Sequence, residues 1–135
     1  MKNNSLQFLL LSIFLVSCGG GGGSSLVLTV QQFSSFSVNE DDTFQTVISS
    51  STNKPANITY TISKPSANAN ITISNSGALF YSPQPNYYGA DTFSITVIAT
   101  PEGQTGSYES QTLNVNANVI SVNDPPTITI NDDLS

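Results

Sequence analysis

Residues Gly77–Val97, GALFYSPQPNYYGADTFSITV, decide the fold. Leu79 and Tyr81 alternate with Ala78 and Phe80, the period of two that sends successive side chains to opposite faces of a strand. Pro83 and Pro85 fix φ and remove backbone donors, which stops that strand. Asn86-Tyr87-Tyr88-Gly89 follows as a crossing, and then Phe93, Ile95 and Val97 alternate with Thr92, Ser94, Thr96 and Ile98 in a second strand. Two strands joined by an aromatic corner describe a chain that leaves one sheet and enters another. The stretch carries no reacting group, so it speaks of architecture.

The same alternation runs on both sides of it. Upstream, Leu26, Leu28 and Val30 form a short strand or extended lead-in, and Phe33, Phe36 and Val38 precede the acidic corner Asn39-Glu40-Asp41-Asp42. The order of these early pieces is left open. Thr43 to Ile48 is β-branched and aromatic, hence a strand, and Ser49 to Pro55 is a turn cluster. Ile58, Tyr60 and Ile62 face one way and Asn57, Thr59, Thr61 and Ser63 the other. A strand over Ala69–Ser74 turns Ile71 and Ile73 inward, and Asn75-Ser76-Gly77 is a hairpin turn in which Gly77 takes positive φ. Downstream, Pro101 to Ser107 is a loop, and the last strand runs from Tyr108 to Val122. There Leu113, Val115, Ala117 and Val119 point inward, and a bulge is expected near Ile120, where the alternation slips. With no helix-period segment, the expectation is an all-β, antiparallel sandwich of about seven strands, of the immunoglobulin-like kind. Within it Tyr87, Tyr88 and Gly89 form a structural corner, in which a phenol bonds back to nearby backbone.

Composition narrows the class. The chain has 135 residues, nine of them acidic, three lysines, no Arg, no His and no Trp, for a formal charge of -6. One domain with appendages fits that length. A phosphate-tracking surface needs clustered Lys and Arg, so a nucleic-acid partner is excluded. With one Cys there is no intramolecular disulfide, and stability must come from a core.

That Cys has a setting of its own. Lys2 supplies a positive start and Leu6–Val16 an apolar run too short to span a bilayer but right for a signal segment. Leu15-Val16-Ser17-Cys18 at its end resembles the bacterial lipoprotein lipobox. The resemblance implies cleavage after residue 17, a covalent lipid on Cys18, and a membrane partner through that anchor. Gly19, where a retention signal would place Asp, favours the outer membrane of the cell envelope. The competing reading is an ordinary secretory signal with Cys18 an incidental thiol. Gly19 to Ser25 has almost no side chain to bury and reads as a tether, with a reach of at most about 3.5 Å per residue. No P-loop Lys follows these glycines, so they do not cradle phosphate. The expected layout is therefore signal 1–17, anchor and tether 18–25, sandwich 26–124, and 125–135 a linker with the start of a further repeat.

Three ordered motifs carry a second resemblance: Gly77-x-Leu79-x-Tyr81-x-Pro83, Asn86-Tyr87-Tyr88-Gly89-x-Asp91-x-Phe93, and Asn123-Asp124-Pro125-Pro126. Together they resemble the bacterial cadherin-like repeats of large surface and adhesin proteins, over roughly Phe36 to Pro126. This implies that Thr127 to Ile130 opens another repeat, so the chain is either a fragment of a longer array or pairs that segment with its own edge. The resemblance also implies calcium, gathered by Glu40, Asp41, Asp91, Asn123 and Asp124 at one end of the sandwich, since carboxylate and carbonyl oxygens suit that ion. Solvated or strand-capping carboxylates are the competing reading. Where related repeats carry an acid late in the penultimate strand, this chain has Ala99 and Thr100.

No catalytic residue is assigned. Without His, no Ser or Cys has a recognisable base, and a zinc site lacks its usual ligands. The two sequons, at Asn57 and Asn70, follow from strand alternation. The functional expectation is a non-enzymatic, membrane-anchored surface module for adhesion or spacing, with a protein or glycan partner left open. The alternatives are a carbohydrate-binding accessory module, which the tyrosines suggest, and a truncated remnant of a larger adhesin.

Overall fold

The computed structural model describes residues 23–106 and 108–126. The signal segment, Cys18 and the expected strand Thr127–Ile130 lie outside the described residues. Nine strands follow one another without a helix among them: β1 (Leu28–Val30), β2 (Ser35–Asn39), β3 (Phe44–Val47), β4 (Ser50–Thr52), β5 (Ala56–Lys64), β6 (Ala69–Ile73), β7 (Ala78–Pro83), β8 (Gly89–Pro101) and β9 (Glu109–Ile120). They form a four-stranded sheet in the order β2-β9-β8-β5, a three-stranded sheet β3-β7-β6, and a two-stranded ladder β1-β4.

The alternation read from the sequence becomes the core. Leu79 and Tyr81 of β7, Phe93, Ile95, Val97 and Ala99 of β8, and Leu113, Val115, Ala117 and Val119 of β9 are all buried, while the residues between them on β9 are exposed. Around the start of β2, Phe33, Phe36 and Phe44 stack and Phe36 meets Tyr81 edge-on at 5.1 Å. The crossing between sheets falls where the aromatic corner was expected, after β7 and before β8. It is shorter than expected, because β8 already begins at Gly89.

Several expectations are corrected. Ser49–Pro55 is not all turn: Ser50–Thr52 forms β4, antiparallel to β1. No apolar pattern announces this strand, because hydrogen bonds hold it. The Asn53 side chain accepts from the Val27 N–H at 2.8 Å and donates to the Ser25 carbonyl at 3.0 Å, and the hydroxyls of Ser50 and Tyr60 are 2.5 Å apart. The bulge expected near Ile120 is absent there; the β8–β9 register runs unbroken from Gly89↔Val119 to Ala99↔Glu109. The slip in the alternation marks the strand's end, and the irregularity lies in β5, between Ile62 and Lys64. Finally, the sandwich is not wholly antiparallel, since β2 pairs parallel with β9. Parallel neighbours need a long connection, and here nearly the whole domain lies between them.

Candidate functional site at the acidic end

Registers bring the expected site residues to one end of the sandwich. Asn39 pairs with Ile120 and Phe36 with Ala117 on one side of β9, while Gly89 pairs with Val119 and Asp91 with Ala117 on the other. Glu40, at the end of β2, and Asp91, near the start of β8, are the buried acids among the described residues.

Asp91 is held by its own fold. Its Oδ2 accepts from the Tyr81 phenol at 2.7 Å and also from the Ser66 hydroxyl, while Oδ1 accepts from the Thr92 N–H at 2.9 Å. Ser66 in turn accepts from the Asn68 N–H at 2.9 Å. One carboxylate thus joins β7 in one sheet, β8 in the other, and the β5–β6 connection. Burial pushes the Tyr81 phenol far above the usual tyrosine range, and the hydrogen bond to Asp91 and that residue's charge act in the same direction. Tyr81 is therefore a permanent donor at neutral pH.

Glu40 has a comparable duty. Its Oε1 accepts from the Val122 N–H at 2.7 Å, and its own N–H donates to the Ile120 carbonyl at 3.0 Å. The side chain takes over the ladder where β9 stops. The remaining acids of the corner are turn residues: Asp42 Oδ2 accepts from the Asn39 side chain at 2.8 Å, and Asp41 is exposed. Asn123 and Asp124 are exposed beyond β9.

Among the described residues, no three His, Cys, Asp or Glu side chains gather as a metal-holding group. Calcium takes about six to eight oxygens with free lone pairs. Asp91 offers both of its oxygens to internal donors and Glu40 offers one to a backbone amide, so of the expected set of Glu40, Asp41, Asp91, Asn123 and Asp124 these two are engaged by the domain itself, and Asp41 and Asp124 form no metal-holding group with them.

The corner separates its two tyrosines. Tyr87 packs against the core and donates to the Ala90 carbonyl at 2.6 Å, as a corner phenol should, while Tyr88 is 64% exposed. Gly89 has φ of +120°, which admits Gly readily and little else. Tyr108, the other strongly exposed tyrosine, adjoins Glu109, which pairs with Ala99 at the opposite end of the sheet. The two exposed rings therefore share no platform. Sequence reasoning missed Ser66 and the role of Tyr81, and the only signal for either was Tyr81's place in the strand motif opposite the corner.

A model of the bacterial Ig domain matches residues 24–116. The chain belongs to the bacterial Ig domain family. A domain of this family fits a surface or adhesion-type module. Comparison with curated proteins gives no match. In this Ig domain the acidic end is a locking device: Tyr81, Asp91 and Ser66 pin the two sheets, and Glu40 fastens the outgoing chain.

Proposed function

We propose that this Ig domain is exported, anchored by a lipid on Cys18, and held at the bacterial envelope, on the outer membrane, as a non-catalytic module for adhesion or structural spacing. The observation that carries the reading is that the chain enters and leaves at opposite ends. Ser25 and Val27 are bound by Asn53, beside the end where Ala56 pairs with Pro101, whereas Val122 is bound by Glu40 at the other end. Between them the thirteen residues of β8 cover about 40 Å at roughly 3.3 Å per residue. A domain strung this way keeps its outgoing chain well apart from its incoming one. The buried acids serve the same end, since their oxygens bind the domain's own backbone and hydroxyls.

Metabolic labelling with a palmitate analogue tests the anchor. The wild type takes up label and Cys18→Ala does not; a wild type without label sinks the anchor while leaving the Ig domain intact.

A carbohydrate-binding accessory role is the second reading. Its support has moved from the tyrosines to the outer face of the four-stranded sheet, where Asn57, Thr59, Thr92, Thr112, Asn114 and Asn116 present uncharged hydroxyls and amides. A glycan array probed with folded protein separates the two readings.

A further inference from the structure

Strand β5 forms one margin of the four-stranded sheet and pairs on one side alone, with β8. Apart from that ladder, no backbone hydrogen bond among the described residues involves positions 56–64. Sandwich proteins usually blunt such an edge by shortness, charge, Pro or a bulge. β5 does little of this. It has nine residues, and from Ala56 to Ser63 it contains neither charge nor Pro. Its bulge is confined to the end, between Ile62 and Lys64. The other sheet margins differ: β2 and β3 have five and four residues and flank the acidic corner, and β6 has five.

A second observation concerns the inner face of the same edge. Ile58, Tyr60 and Ile62 pack against the core yet are only partly buried, because the sheet ends beside them. An added strand would cover this apolar row as well as its backbone.

The strand is also complementary to itself. Antiparallel pairing of two copies about Thr59 sets Thr59 opposite its counterpart, Ile58 opposite Tyr60, Asn57 opposite Thr61, and Ala56 opposite Ile62. Positions equidistant from Thr59 share a face, so apolar meets apolar on the inner side and hydroxyl or amide meets hydroxyl on the outer. This span ends before the bulge, and Lys54 and Lys64 fall outside it.

We propose that β5 is a self-association edge, through which two copies of the chain join antiparallel into a continuous eight-stranded sheet with a two-fold axis at Thr59. Such an interface is isologous and closes on itself. A second copy is the partner that supplies both requirements at once, a free edge of matching length and the same apolar row in the reverse order. The inference goes beyond the anchoring and spacing role and rests on β5 alone.

The test uses the full chain in mild detergent, followed by sedimentation. The wild type should pass from monomer to dimer as concentration rises. Thr59→Lys and Thr59→Glu each place like charges on the axis and should weaken the dimer at least tenfold, while an equimolar mixture of the two should restore it. Thr59 is exposed, so at concentrations where the wild type is monomeric both variants should melt as it does. A second measurement is independent of those variants. Thr59→Cys should form a disulfide-linked dimer on a non-reducing gel, because paired strands bring opposed residues within disulfide reach, whereas Asn114→Cys, on the outer face of β9, should not. A wild type that stays monomeric at all concentrations overturns the proposal. So do charge variants that dimerise undiminished, or a Thr59→Cys protein that crosslinks no more than Asn114→Cys.

Discussion

The phenol of Tyr81 lies fully buried against Phe36 and Phe93, with Asp91 as its acceptor. Removing only the hydroxyl, as in Tyr81→Phe, keeps the ring and takes one donor from a buried carboxylate. Hydrogen bonds to charged groups contribute about 1.5–3 kcal/mol, so the variant should lose about that much unfolding free energy at neutral pH. The loss should depend on pH in a defined direction. The folded-state pKa of Tyr81 is raised above its unfolded value near 10. The unfolded chain therefore releases this proton first, and the stabilisation, complete below about pH 10, declines as pH rises further, by at most about 1.4 kcal/mol per pH unit. Urea unfolding of both proteins from pH 7 to 11.5 should show the gap between them narrowing only above about pH 10. A gap that stays constant would mean that the phenol is not held in this way.

At the scale of elements, the β6–β7 hairpin depends on one backbone position. Gly77 has φ of +81°, and a Cβ built there would stand 2.3 Å from the Ile48 carbonyl oxygen. That carbonyl belongs to backbone just past β3, and the Ile48 N–H donates to the Gly77 carbonyl at 2.9 Å. Neither partner can swing aside as a side chain would. Gly77→Ala should therefore cost at least about 2 kcal/mol, read as a fall in the urea midpoint with an unchanged slope. This turn, like β5, β7 and β8, was legible in the sequence because alternation and a positive-φ Gly leave local traces. The β4 strand was not legible, since Ser50, Ser51 and Thr52 look like turn residues and are held through Asn53 and Tyr60. The parallel partnership of β2 with β9 was equally hidden, because no local pattern encodes a pairing between segments some eighty positions apart. At the candidate site, the clustering of Glu40 and Asp91 at one end could be anticipated through the cadherin-like resemblance alone, since the sequence leaves the order of the early strands open. What their oxygens bind could not be anticipated, because it depends on Ser66 and Val122, which no motif marks.

At the scale of the molecule, stability rests on a core and internal locks. A ligand that binds only the folded state raises the melting temperature by mass action. With Asp91 and Glu40 bound internally and no three His, Cys, Asp or Glu side chains among the described residues placed to hold a metal ion, millimolar calcium and excess chelator should give the same melting temperature. A rise of several degrees with calcium would show that the acidic end rearranges to hold the ion. The parallel β2–β9 ladder has one further consequence for a domain strung between two points. Tension entering before Ser35 and leaving after Ile120 draws these two strands past each other along their length, so the ladder from Ser35↔Asn116 to Asn39↔Ile120 is loaded in shear and must yield together. An antiparallel partner at that margin would be peeled open one bond at a time. The strand direction that broke the expected pattern therefore makes this margin the mechanical clasp of the domain, with Glu40 as its last tooth.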